Sequence, residues 1–166
     1  MHDLLVVCFS RTGFTRRAAA EFQRLVPAEF EEIREQRPFR GPFSYLMARW
    51  SILRRQSRAI LPPFHQAQDF KGVLICTPNW AGAMAPPVLS WLRCQESPFP
   101  PYALLVTQSG TAGGSIVEEA RQEIGHAPVH SLFLRDAYVA DGSYMTQLQP
   151  FARHLSQQFH DLAETH

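Results

Sequence analysis

Three short apolar runs constrain this chain more than any other feature: Leu4–Phe9, Val73–Cys76 and Tyr102–Thr107. None alternates with polar residues, so each reads as a strand buried on both faces. Each breaks into a loop of small and hydroxyl-bearing residues, and each loop leads into a helical pattern. Glu29 to Arg34 is polar and weakly alternating, which suits a short edge strand where charge guards against aggregation. Val129 to Leu134 supplies a last strand. Strands alternating with helices predict an α/β domain over 1–166: a doubly wound, five-stranded parallel sheet in three α/β/α layers.

The loop after the first run, Ser10-Arg11-Thr12-Gly13-Phe14-Thr15, opens a helix in which Phe14, Ala18, Phe22 and Leu25 share a face. A strand-to-helix loop collects unpaired backbone N–H groups and the positive end of the helix dipole. Ser10, Thr12 and Thr15 add hydroxyls, and Gly13 permits close backbone approach. Helix capping needs one hydroxyl; three around a glycine point to a phosphate. The loop lacks Gly-Lys-Ser/Thr and G-x-G-x-x-G, so neither a triphosphatase loop nor the usual dinucleotide loop is present.

Further along, Phe43, Leu46, Trp50 and Leu53 line one face of a helical stretch, with Arg49, Arg54, Arg55 and Arg58 mostly elsewhere. Residues 37–65 read as an inserted helical segment packed over the sheet edge or a ligand mouth. The second apolar run ends in Thr77-Pro78-Asn79-Trp80-Ala81-Gly82, and a helix follows from Val88 to about Cys94, with Pro86 and Pro87 at its start. The third ends in Gln108-Ser109-Gly110-Thr111-Ala112-Gly113-Gly114, before a capping box of Ser115 with Glu118. Ile116, Ala120 and Ile124 face inward there, and Gly125 ends the helix. The last helix covers Leu148, Phe151, Leu155, Phe159 and Leu162; Pro150 within it marks either its start or a kink.

Net charge is +1, so no strong field points to nucleic acid or a membrane surface, and no apolar run approaches the roughly 20 residues of a membrane span. Cys8, Cys76 and Cys94 are odd in number and lack C-x-x-C spacing, which reads as small buried residues in a reducing, cytoplasmic setting. His126 and His130 stand four apart, but Pro128 breaks any shared helix face and no Cys, Asp or Glu ligands cluster with them, so no metal site is expected.

The loops resemble those of the flavodoxin-like family. Ser10-Arg11-Thr12-Gly13-Phe14-Thr15 is similar to its phosphate loop, S/T-x-T-G-x-T, and Thr77-Pro78-Asn79-Trp80-Ala81-Gly82 to its isoalloxazine loop, T-P-x-W/Y-x-G. The third loop, with Ser109, Gly110, Gly113 and Gly114, resembles the one along the other edge of the flavin ring. The resemblance implies sheet order 2-1-3-4-5 and FMN as cofactor. Residues 10–15 would take the phosphate, Trp80 would stack on the flavin, and Pro78, Asn79, Ala81 and Gly82 would border the ring, with backbone groups near flavin N5. Phe14 stands where the family often has asparagine, and the third loop lacks the usual tyrosine. That leaves one ring face open to substrate or covered by Tyr45 or Trp50 of the insertion.

The chain also lacks the acidity of electron-carrier flavodoxins. The weight falls on an FMN-dependent oxidoreductase that passes electrons from NAD(P)H to a quinone-like acceptor. No catalytic side chain is assigned, since no Ser-His-Asp or Cys-His arrangement is seen. The alternatives are a non-enzymatic carrier serving a redox protein partner and a flavin-free binding module on the same fold. A homodimer is left open.

Overall fold

The computed structural model describes residues 3–36, 59–110 and 114–164. Its strands are β1 (Leu4–Cys8), β2 (Glu29–Glu32), β3 (Gly72–Trp80), β4 (Ala83–Met84), β5 (Tyr102–Gln108) and β6 (His130–Arg135). Its helices are α1 (Phe14–Leu25), α2 (Pro86–Arg93), α3 (Gly114–Ile124), α4 (Asp136–Asp141) and α5 (Met145–Glu164). The main strands pair in parallel in the order β2-β1-β3-β5-β6. Among the described strands only the two-residue β4 is antiparallel, folded back on the end of β3. With β4 set aside, this is the expected 2-1-3-4-5 order.

Alternate residues of the central strands feed two separate cores, because successive side chains leave a strand on opposite faces. Leu4, Val6 and Cys8 pack with Cys76, Leu105, Phe22 of α1 and Leu148, Phe151 and Leu155 of α5. Leu5, Val7 and Phe9 pack with Ile75, Leu104, Val88 and Trp91 of α2 and Ile116 and Ala120 of α3. Helices therefore cover both sheet faces. The Cys8 and Cys76 thiols face each other across β1 and β3, and burial pushes the pKa of both well up. Cys94 is exposed just past the end of α2, against the expectation that all three cysteines are buried.

Several boundaries differ from expectation for local reasons. The last helix begins at Met145, so Pro150 lies in its second turn rather than at its start. A short α4 precedes it and ends at Gly142, whose φ of +88° suits glycine. The capping box does not form: the Ser115 hydroxyl donates to the Gly82 carbonyl, and the Glu118 carboxylate is taken by Arg121 and Gln122. The helix proposed around Phe43, Leu46, Trp50 and Leu53, together with Tyr45, lies outside the described residues, as does Gly113. Where the described chain resumes it is extended, not helical: Ile60 bridges Glu35 antiparallel and the Leu61 N–H donates to the Arg34 carbonyl at 2.8 Å.

This returning strap is fastened by one buried carboxylate. Glu31 sits on edge strand β2 with 4% exposure. Its Oε1 accepts from Trp91 Nε1 at 2.9 Å and the Phe64 N–H at 3.2 Å, while its Oε2 accepts from the His65 N–H at 3.0 Å and meets His65 Nδ1 at 3.0 Å. A carboxylate so nearly out of water is tolerable because its lone pairs are filled. Removing it orphans several donors together. Glu31→Ala should therefore lose about 3 kcal/mol of unfolding free energy in urea titrations. A loss below about 0.5 kcal/mol would mean that apolar contacts alone hold the strap.

Candidate functional site

Because the main strands are parallel, the loops that follow them emerge at one end of the sheet. Neighbouring β1, β3 and β5 carry the three glycine- and hydroxyl-bearing loops. From β1 the chain winds one way to β2 and then the other way to β3, so the strand order reverses between β1 and β3. Outside the carboxyl ends of the strands at such a point is the general ligand site of open α/β sheets.

The first loop forms a closed turn at the head of α1. Gly13 is the N-cap with φ +94°, a left-handed conformation that suits glycine, and a Cβ there would meet nothing within 4 Å. Its N–H donates to Ser10 Oγ at 3.1 Å, and its carbonyl accepts the Arg17 N–H at 2.9 Å. The leading N–H groups of α1 have no intrahelical acceptor. No acidic side chain stands in its first turn, and Arg16 and Arg17 follow instead. Placing cations at the positive end of a helix dipole is unfavourable by itself and suits a site that takes an anion. Ser10, Arg11, Thr12 and Phe14 stay at least partly exposed.

The Thr15 hydroxyl turns inward rather than into this cup. Thr15 is 2% exposed, and its Oγ1 lies 2.7 Å from Thr107 Oγ1 on β5. Two buried hydroxyls must pair with something, and here they pair with each other, tying the first loop to the third strand.

The second stretch is a hairpin, not an open loop. β3 runs on through Pro78, Asn79 and Trp80, and turns at Ala81-Gly82 into β4. Ala81 has φ +54° and Gly82 has φ +88°, the pair of positive values that a type I′ turn requires. Asn79 holds the turn from below: its Oδ1 accepts the Gly82 N–H at 2.8 Å and its Nδ2 donates to Gln108 Oε1 at 2.9 Å. Trp80 is half-buried at the base of the turn. Phe9 meets it edge-on with ring centroids 5.8 Å apart, and the Arg11 guanidinium lies 6.0 Å from its centroid. The first loop and the hairpin thus touch through Arg11, Phe9 and Trp80.

The third loop completes the rim. Ser109 Oγ donates to Asp136 Oδ2 at 2.7 Å, at the start of α4. Gly110 is exposed with open space around its Cβ position, and Gly114 is the first residue of α3. Sequence reasoning missed Thr107, Gln108, Asp136 and Glu119. Each bonds a candidate residue or the hairpin from a distant part of the chain, and no local spacing announces such a partner. Residues 9–15, 77–85 and 108–116 contain no His, Cys, Lys, Asp or Glu. The rim can bind an anion and a flat ring through amides, hydroxyls, arginine and an aromatic wall, and the carboxylates that reach it from outside these stretches, Asp136 and Glu119, are engaged by Ser109 and by the Met84 N–H.

Solved structures with the same architecture are numerous. A protein from Bacteroides uniformis matches at TM-score 0.78 and 15% identity, covering 92% of this chain and 98% of its own. The flavoprotein of Lactobacillus acidophilus, solved in complex with FMN, matches at TM-score 0.69 and 19% identity over 86% of this chain and 98% of its own. The chain has a flavodoxin-like fold. An NAD(P)H:quinone oxidoreductase from Methanothermobacter marburgensis shares this flavodoxin-like architecture at TM-score 0.54 and 14% identity, over 96% of this chain and 98% of its own. No protein-family model and no curated protein matches the sequence.

The hairpin turn generates a stability test. Ala81 occupies a left-handed conformation that costs an ordinary L-residue about 1 kcal/mol, and Asn-Gly is the pair a type I′ turn prefers. Ala81→Asn should raise the melting temperature. Gly82→Ala should lower it, because it adds a second strained residue whose Cβ would stand 3.0 Å from Ser115 Oγ. Calorimetry on the two variants checks both signs.

Proposed function

We propose that this chain binds FMN at the rim of β1, β3 and β5 and works as an NAD(P)H-dependent oxidoreductase on a quinone-like acceptor. One observation carries the reading: an anion-ready helix N-terminus at Gly13 and an aromatic hairpin at Trp80 meet at the point where strand order reverses. A flavin mononucleotide has the matching parts, a phosphate at one end and a flat ring at the other. The L. acidophilus protein holds FMN on this fold, and the M. marburgensis protein is a quinone oxidoreductase; both support the class of ligand and acceptor.

The residues divide the work. Amides of residues 14–16, with the Ser10 and Thr12 hydroxyls, take the phosphate, and Arg11 lends charge from its place over Trp80. The indole provides a stacking wall. Ala81, Gly82 and Gly110 leave room at the ring edges, while Asn79 shapes the hairpin rather than reaching the ligand. When bound, FMN supplies the hydride and electron chemistry, so the reading requires no acid–base side chain from the rim. The third loop has no aromatic residue to stack on a second ring face, which leaves that face to a small acceptor or to Tyr45 or Trp50 of the insertion. Three unpaired cysteines agree with a reducing, cytoplasmic compartment. No described helix is long and apolar enough to cross a membrane. We take 1–166 as one domain.

A pure electron carrier would use the same rim. Turnover separates the two readings. Purified protein should be yellow or take up FMN, and should oxidise NAD(P)H steadily with quinones. Thr12→Ala should weaken FMN binding roughly tenfold or more through loss of a bond to a charged group, and Trp80→Ala about tenfold through lost stacking. Reduction only through a separate reductase would select the carrier. A colourless protein indifferent to FMN would select a flavin-free binding module.

A further inference from the structure

The hairpin tip is gripped by one face of a helix that belongs to a different loop. Ser115 and Glu119 stand four residues apart on α3, so their side chains leave the helix on the same side. The Ser115 hydroxyl donates to the Gly82 carbonyl at the turn. Glu119 Oε2 accepts the Met84 N–H at 2.7 Å on the returning strand. With Asn79 holding the Gly82 N–H, side chains bond the turn at its amide, its carbonyl and its outgoing strand.

The hairpin's own pairing gives it little rigidity. β4 has two residues, Ala83 and Met84, and among the described residues pairs only with β3. A two-residue strand with a strained turn holds its shape weakly without outside bonds. The bonds from α3 are placed on the part of the hairpin that would border a flavin ring, whereas the base at Trp80 is braced separately by Phe9. Ser115 is exposed and Glu119 half-buried, so neither is a core residue whose first duty is packing.

We propose that Ser115 and Glu119 form a clamp that presets the Ala81–Gly82 turn for the ring of the cofactor, making them positioning residues for flavin affinity and redox potential. The proposal rests on the FMN reading above. The Ser115 bond occupies the Gly82 carbonyl, so the tip presents the ring with a fixed backbone surface rather than one that must reorganise on binding. Preorganisation of this kind lowers the ordering cost of binding without adding a contact to the ligand.

The test uses the full chain with and without FMN. In the apoprotein, Ser115→Ala should accelerate amide hydrogen exchange at Gly82 and Met84 while leaving exchange in β1 and β5 and the melting temperature near wild type. With FMN, its dissociation constant should rise about fivefold to tenfold, the size expected for one hydrogen bond lost, and the flavin midpoint potential should shift. Ser115→Thr, which keeps the hydroxyl, should restore all three readouts. Glu119→Ala should behave like Ser115→Ala, and Glu119→Gln, which retains an acceptor for Met84, should not.

Unchanged exchange at the turn in Ser115→Ala would overturn the clamp itself. Faster exchange with wild-type affinity and potential would overturn its role toward the cofactor. If wild-type protein binds no FMN, the function proposed above falls and this role falls with it. Normal wild-type binding beside an unaffected Ser115→Ala sinks the clamp alone.

Discussion

Everything at the candidate site depends on the parallel pairing of β1 with β3 and of β3 with β5. Parallel strands point the same way, so the loops that follow them must emerge together, however far apart they lie in the chain. That pairing is affordable only where both faces are covered, and here α1 and α5 bury one face while α2 and α3 bury the other. The strands are consequently apolar from end to end, and polar chemistry is pushed to their carboxyl tips. The site is a by-product of the same constraint that builds the core.

Within that frame, buried and half-buried polar groups join the loops to each other. Thr15 on α1 meets Thr107 on β5, Asn79 reaches Gln108, Ser109 reaches Asp136, and α3 holds the hairpin through Ser115 and Glu119. Each bond crosses between elements far apart in sequence. A group taken out of water needs a partner, and these partners make the three loops one mechanical unit rather than three independent turns. A ligand seated on one loop would feel substitutions made on another.

The same rule governs the sheet edge away from β5. Glu31 is a charged residue on a strand that could simply face water, yet it points inward and collects donors from Trp91 on α2 and from Phe64 and His65 on the returning strap. One carboxylate thereby joins edge strand, helix and strap. The strap rejoins the sheet at residues 34–36, near the carboxyl end of β2 and hence on the same side of the molecule as the loop at Gly13.

Periodicity and punctuation made much of this legible. Uninterrupted apolar runs gave the buried strands, their alternation with helical patterns gave the layers, and Ser10-Arg11-Thr12-Gly13 and Asn79-Trp80-Ala81-Gly82 marked the two principal loops. Those features are local, since strand burial, glycine turns and helix faces are written within a few residues of one another. What local reading missed was long-range or cooperative. β3 continues past Pro78 because a two-residue strand pairs back on it, and the Ser115 hydroxyl serves Gly82 rather than a cap because folding brings a better-placed carbonyl within reach. Thr15 turned from an exposed cup to Thr107 for the same reason. The sequence by itself determined which residues are apolar, where the chain can turn and what chemistry its loops can offer. Only the tertiary structure decided which polar group bonds to which, because each pairing depends on distances between segments that the chain order leaves open.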